Sequence, residues 1–342
     1  MKVAILTGGG DCPGLNAVIR AVVRRGEQHG LEFTGVRDGW KGLLDDDTFR
    51  ITRQNTSGIL QLGGTIIGTS RTNPFKRPDG PKMVMDTVLR HNIGAVVAIG
   101  GEDTLGVASR FHEELGMKVV GVPKTIDNDL SGTDYTFGFD TAVTIATEAI
   151  DRLHSTAEAH SRVMVCEVMG RHAGHIALHS GIAGGADVIL VPERPIDLGD
   201  VVRHIRARQR RGRRFSIVVV AEGAKMARSK EATVSDSLDD FGHVRLGGIG
   251  AYLAKEIERE TGFEARVTVL GHVQRGGTPT ARDRVLATRY GVFACDLVKE
   301  GRWGMMAALH GDEVVAVPLV EATRELHLID PKLFEIAEVF FG

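Results

Sequence analysis

Short β-branched runs alternate with helix-periodic stretches along most of the chain. Seven read "VAIL" (3–6), "AVVAI" (95–99), "KVVGV" (118–122), "RVMVCEV" (162–168), "DVILV" (187–191), "SIVVVA" (216–221) and "RVTVL" (266–270). Runs with little polar alternation predict strands buried on both faces, as in the parallel sheets of doubly wound α/β folds. The stretch after the first run supplies the matching helix. Leu15, Val18, Ile19, Val22 and Val23 share one helical face, and Arg20, Arg24 and Arg25 are expected on the solvent side. A long helix is predicted to start at Thr141, and a boundary between lobes is expected near 139–141. At 342 residues the chain exceeds ordinary single-domain size, so two lobes are the expectation.

In such sheets ligands bind beyond the carboxyl ends of the strands. The loops there are polar and glycine-bearing: "TGGGDCPG", "GGEDT", "PKTIDND", "MGRHAG", "AEG" and "GHVQRGG". Their recurrence at equivalent strand ends predicts one shared cleft. The first loop opens a helix, whose N–H groups and positive dipole end suit an anion. It lacks the Lys-Ser/Thr ending of a Walker A loop, and by itself it reads as a phosphate cradle or as a tight strand-to-helix turn. "PKTIDND" gathers Lys124, Thr125, Asp127 and Asp129. A carboxylate to accept a hydroxyl proton and a cation to neutralise the moving group suit phosphoryl transfer to an alcohol; a solvated Asx-rich turn is the alternative. "GHVQRGG" sets His272 and Arg275 in one loop, with Arg266 on the strand leading in, and such donors hold a terminal phosphate well.

Composition narrows the classes further. The 43 glycines follow apolar runs instead of forming a low-complexity tract. A formal charge of -2 gives no whole-molecule field for nucleic acid or an anionic membrane, so neither is an expected partner, and "RHIRARQRRGRR" (203–214) reads as a solvated helix face. Cys12, Cys166 and Cys295 offer neither a disulfide framework nor a CxxC site, which fits a reducing, cytoplasmic location. No apolar run reaches the roughly eighteen residues that span a bilayer, and no export signal opens the chain. The stretch 228–240 reads as a mobile surface loop, and "DFG" at 240–242 is set aside because "HRD" is absent. His172, His175 and His179 lack Cys or carboxylate partners at metal spacing and read as helix surface or packing residues.

Together the loops resemble the 6-phosphofructokinase family, from "LTGGGDCPGLNAVIR" to the closing "AEVFFG", with "GGEDT", "PKTIDND", "MGR" and "GHVQRGG" in the family's order and spacing. The branch most similar is the actinobacterial one that holds both ATP-using and diphosphate-using enzymes. The resemblance implies a phosphoryl-donor lobe of 1–140 plus about 275–325, a fructose-6-phosphate lobe of about 141–274 plus 326–342, and an active site in the cleft between them. It implies Asp127 as the base for the 1-hydroxyl of fructose 6-phosphate, with Thr125 and Asp129 beside the acceptor. Met169, Gly170, Arg171 and Glu222 match residues that hold the sugar, and Arg162, Arg266, His272 and Arg275 match its 6-phosphate ligands. In relatives Arg162 and Arg266 reach in from a neighbouring subunit, which implies a homodimer or homotetramer with shared sites. On the donor side stand Gly9, Gly10, Arg71, Gly101, Asp103 and Lys124, and Glu102 matches the Mg2+-associated acid.

Asp103 aligns with a glycine of the ATP-dependent enzymes, where a carboxylate fills space and repels a nucleotide's α-phosphate. Lys124 aligns with a glycine in many bacterial ATP enzymes, but some ATP-using relatives of this branch also carry the lysine, so Asp103 decides more than Lys124. The expectation is therefore a reversible, Mg2+-dependent transfer from diphosphate to fructose 6-phosphate, with ATP as the alternative donor. Another kinase with a "GGDG"-type loop is disfavoured by "PKTIDND" and "GHVQRGG", and a non-catalytic metabolite sensor by the retained base and phosphate ligands. His175 stands where an aromatic residue is expected in this branch.

Overall fold

A computed structural model describes residues 1–227 and 248–342, together with the backbone of 235–238 and 244–245. The chain opens with β1 (Lys2–Thr7), α1 (Leu15–Gln28), β2 (Glu32–Val36), α2 (Trp40–Leu44), β3 (Thr48–Ile51), α3 (Gly80–Arg90), β4 (Ile93–Gly100), α4 (Glu102–Leu115) and β5 (Val119–Pro123). It continues through α5 (Phe139–His160), β6 (Val163–Val168), α6 (His175–Ala183), β7 (Val188–Leu190), α7 (Leu198–Arg210), β8 (Ser216–Ala221), the pair β9 (Ser235–Leu238) and β10 (Val244–Arg245), α8 (Ile249–Thr261) and β11 (Ala265–Val269). It closes with α9 (Ala281–Glu300), β12 (Met305–His310), β13 (Glu313–Pro318), α10 (Leu319–Ala322) and α11 (Pro331–Glu338). Two compact units result. The first comprises Met1–Ile126, Leu130–Thr141 and Arg275–Leu326; the second comprises Asp127–Asp129, Ala142–Gln274 and His327–Gly342.

The first unit is built on a seven-stranded sheet in the order β13-β12-β5-β4-β1-β2-β3. The strands run parallel except β3 and β13, which pair antiparallel at the two edges. The apolar runs at 3–6, 95–99 and 118–122 become β1, β4 and β5, and Ile5, Val97 and Val120 are fully buried. The order places β2 and β3 on one side of β1, and β4 and β5 on the other. Chain direction across the sheet therefore reverses between β1 and β4, and beyond the carboxyl ends of such a pair open α/β sheets form their ligand crevice.

One detail of the first helix differs from expectation. Arg20, Arg24 and Arg25 are half-buried, because α9 packs along α1. Gly291 lets the helices approach, since a Cβ there would lie 2.7 Å from the Val18 carbonyl oxygen. Arg25 pairs with Asp296 of α9 at 2.6 Å.

The second unit holds a four-stranded parallel sheet in the order β11-β6-β8-β7. Its central strands β6 and β8 are buried along their whole length, and Val165, Val218 and Val220 pack with Leu253 and Ile257 of α8. β11 corrects the expectation of a strand buried on both faces. Only Ala265 is buried, while Val267 and Val269 are 37% and 56% exposed, because β11 is an edge strand with β6 as its one neighbour in the sheet. The expected mobile loop at 228–240 lies outside the described residues apart from the backbone of β9, and "DFG" at 240–242 lies wholly outside them. Among the described residues no helix is long and apolar enough to cross a membrane.

Candidate active site

In the first unit three strand-end loops are laced together by their backbones. Gly8 N donates to Ile99 O at 2.9 Å, Gly9 N to Ser70 O at 3.0 Å, and Lys124 N to Gly100 O at 2.9 Å. The Thr104 side chain is wedged between the loops that follow β1 and β4: a Cβ at Gly8 would come within 2.5 Å of it, and one at Gly100 within 2.3 Å. These two glycines are thus required by the fold of the crevice floor. Thr104 carries no functional assignment from the sequence, although it closes the "GGEDT" motif; its carbonyl accepts from Trp40 Nε1 at 3.3 Å.

Two cations lie over the glycine loop. Lys124 Nζ donates to the Gly10 carbonyl and sits 3.2 Å from where a Cβ on Gly9 would be, at a residue whose φ of +82° already favours glycine. Arg275 Nη1 donates to Asp11 O at 3.3 Å and would meet a Cβ on Gly10 at 2.6 Å. Lys124 is 3% exposed, and burial depresses its pKa to about 8, with Arg275 and Arg71 pushing the same way. At neutral pH it remains mostly protonated, a desolvated charge whose best partner is an anion. Arg71 is exposed and follows Ser70, the acceptor for Gly9 N.

Gly101 caps α4 in an extended conformation, and Glu102 and Asp103 occupy that helix's first turn, where carboxylates are favoured by the dipole. Glu102 is exposed and Asp103 half-buried. Among the described residues no cluster of three His, Cys, Asp or Glu could hold a metal alone. Mg2+ usually takes one or two carboxylates together with substrate phosphate oxygens and waters. Glu102, exposed at the start of α4, supplies a carboxylate of that kind.

In the second unit the loops after β6 and β8 are likewise tied. Glu222 N donates to Val168 O at 2.8 Å and Gly223 N to Gly170 O at 3.0 Å, which groups Met169, Gly170 and Arg171 with Glu222. Fully buried Gln274 accepts from Met169 N at 3.3 Å and donates to Gly271 O at 3.0 Å, so it anchors the turn carrying His272. Gln274 is a structural member of the site that sequence reasoning passed over within "GHVQRGG". Asp127 and Asp129 flank Asn128, which is buried and left-handed with φ 53°.

The expected 6-phosphate ligands are divided. Arg162 pairs with Glu264 at 2.6 Å, Arg266 pairs with the same carboxylate, and the two guanidinium groups, Arg162 foremost, hold that carboxyl below its usual range. Both arginines stand at the amino ends of β6 and β11, whereas Met169 follows the carboxyl end of β6. At a strand rise of about 3.3 Å per residue Arg162 stands roughly 20 Å from Met169 along β6, and Arg266, in register with Met164, about 17 Å, so one chain sets both at the far end of the sheet from Met169, Arg171 and Glu222. His272 is exposed in the turn after β11, and Arg275 belongs to the first unit, against the glycine loop.

His175 begins α6 and is 5% exposed, with its ring 4.9 Å from that of His327. Burial depresses its pKa to about 4. It is a packing residue, while His172 is exposed and His179 half-buried.

The family model for phosphofructokinase matches residues 2–298. The chain belongs to the phosphofructokinase family. A pyrophosphate--fructose 6-phosphate 1-phosphotransferase from Streptomyces coelicolor is 60% identical over 344 residues, covering 100% of both chains. An ATP-dependent 6-phosphofructokinase from Mycobacterium tuberculosis is 51% identical over 344 residues, again covering 100% of both. The crystal structure of Pichia pastoris phosphofructokinase in the T-state superposes with a TM-score of 0.83 at 34% identity, over 99% of this chain and 36% of that one. Family membership accounts for the glycine crevice and the tied loops. The named relatives use two different donors, so membership by itself does not choose one.

Proposed function

We propose that the chain catalyses the reversible transfer of a phosphoryl group from diphosphate to the 1-hydroxyl of fructose 6-phosphate. The observation that carries the choice of donor is a carboxylate at Asp103 in the first turn of α4, in a unit where the buried Lys124 ammonium lies on the glycine loop. Diphosphate is compact and densely charged, and Lys124, Arg71, Arg275 and the N–H groups of the Gly10 and Gly101 turns suit it. A nucleotide must also seat an α-phosphate and a nucleoside. Were that phosphate to stand about 5 Å from an unscreened Asp103, an effective dielectric near 30 would make the repulsion about 2 kcal/mol, or roughly thirtyfold in binding. Glu102 is the candidate ligand for Mg2+, which when bound would neutralise charge on the phosphoryl oxygens.

On the acceptor side Asp127 takes the proton of the 1-hydroxyl, with Thr125 and Asp129 beside it. A loose transition state asks for positioning and charge neutralisation more than for a strong base, so a carboxylate serves. Met169, Gly170, Arg171 and Glu222 hold the sugar, and His272 grips its 6-phosphate. The contacts of Arg275 with the glycine loop favour a donor-side role over the 6-phosphate role implied by resemblance. Arg162 and Arg266 complete the 6-phosphate site of a second copy of the chain. That reading is supported by the roughly 20 Å between Arg162 and Met169 along β6 and by the exposed edge strand β11. The active form is accordingly a homodimer or homotetramer, the first unit serves the donor and the second the sugar phosphate. Cys12, Cys166 and Cys295, all buried and unbridged, suit the cytoplasm.

The test is Asp103→Gly. It is expected to raise kcat/KM for ATP by about ten- to a hundredfold while diphosphate turnover falls. Unchanged donor preference would remove Asp103 from the account.

A further inference from the structure

The carboxyl-terminal segment His327–Ile329 lies beyond the residues matched by the family model, yet it is hydrogen-bonded to the acceptor loop. His327 N donates to Asp129 O at 2.9 Å, and its side chain meets Asn128 O through Nδ1 at 2.9 Å. A carbonyl only accepts, so Nδ1 carries the proton. Two adjacent carbonyls of the Asp127–Asp129 turn are thereby held from one residue. The turn needs holding: Asn128 is 4% exposed and sits at φ 53°, a conformation that a non-glycine residue adopts at some cost.

The segment is itself tied to the sugar loop. His175 Nε2–H donates to His327 O at 2.9 Å. Glu193 accepts from Ile329 N at 3.3 Å and from Gly174 N at 3.0 Å, joining the same segment to the end of "MGRHAG". All of these residues belong to the second unit.

We propose that His327 is a positioning residue, the centre of a splint that fixes the Asp127–Asp129 turn relative to the Met169–Gly174 loop and so aims the Asp127 carboxylate at the sugar hydroxyl. The inference rests on Asp127 being the base. The ring nitrogen does not touch substrate; it acts through Asn128. His175 serves the splint as a buried donor to the His327 carbonyl, which explains why a histidine can stand at a position expected to be aromatic.

The test uses His327→Phe, which keeps a ring and loses the Nδ1 donor, and His327→Asn, whose Nδ2 lies close to the lost nitrogen. Each is made in the full chain and again with Asp127→Asn. His327→Phe is expected to lower kcat about tenfold with KM for fructose 6-phosphate within about twofold, His327→Asn to restore most of the loss, and His327→Phe to cost nothing further once Asp127 is replaced. If Asp127→Asn is crippled but His327→Phe keeps its kcat, or loses the same factor in both backgrounds, the splint is overturned and the base is untouched. If Asp127→Asn keeps its turnover, the reading of the base fails first and the proposal with it.

Discussion

Lys124 gives the most quantitative handle on donor binding. Burial holds its ammonium near a pKa of about 8 in the free enzyme, and Arg275 and Arg71 oppose protonation further. With that pKa about nine-tenths of the enzyme carries the charge at pH 7 and about one-tenth at pH 9. If the protonated form alone binds diphosphate well, kcat/KM for diphosphate falls close to tenfold over that interval, because this parameter reports groups of the free enzyme. Diphosphate titrates as well, so the profile is measured beside Lys124→Arg, whose guanidinium stays charged throughout, with magnesium and fructose 6-phosphate saturating. The limb is expected to flatten in Lys124→Arg. Lys124→Met is expected to lose at least tenfold at pH 7 and to show no such limb. Parallel limbs in the wild type and Lys124→Arg would refute a titrating ammonium at the donor site.

Asp127→Asn should lower kcat by about a hundredfold or more with KM for fructose 6-phosphate little changed, and loss of KM alone would make Asp127 a binding residue. Co-expressed Arg162→Ala and Asp127→Asn chains, each inactive alone, should recover about a quarter of wild-type activity, since half of randomly formed dimers are hybrids with one intact site; no recovery would deny shared sites. His175 bears on acid stability. Its folded pKa of about 4 lies below its unfolded value, so its contribution is whole above about pH 6.5 and is lost as pH falls toward 4. Buried Asp283, raised to about 6 chiefly by burial, has the opposite sign and gains as pH falls through 6. Relative to wild type, His175→Met should therefore gain about 3 kcal/mol in unfolding free energy between pH 6.5 and 4, and a constant difference would remove the buried neutral histidine.

The parallel core was legible because β1, β4, β5, β6 and β8 are buried on both faces, which leaves unbroken apolar runs in the chain. Edge elements escape that signal. β3 and β13 pair on one side and mix exposed with buried positions, and "RVTVL" reads as apolar although only Ala265 of β11 is buried. The glycine loops were legible as loops, but the physical need behind Gly8 and Gly100 is the Thr104 side chain, which spacing does not reveal. Arg275 sits three residues after His272, yet it belongs to the first unit and lies over that unit's own glycine loop. The partnership of His327 with Asn128 spans 199 residues and rests on backbone carbonyls, which leave no mark in side-chain chemistry.

On this reading a small inorganic donor fits where a nucleotide does not. Phosphorus NMR of the enzyme with magnesium, fructose 6-phosphate and equal concentrations of diphosphate and ATP tests it in a single tube. The diphosphate resonance is predicted to give way to inorganic phosphate and a new sugar 1-phosphate ester while the three ATP resonances keep their intensity. Loss of the γ-phosphate signal with diphosphate left intact would contradict the account.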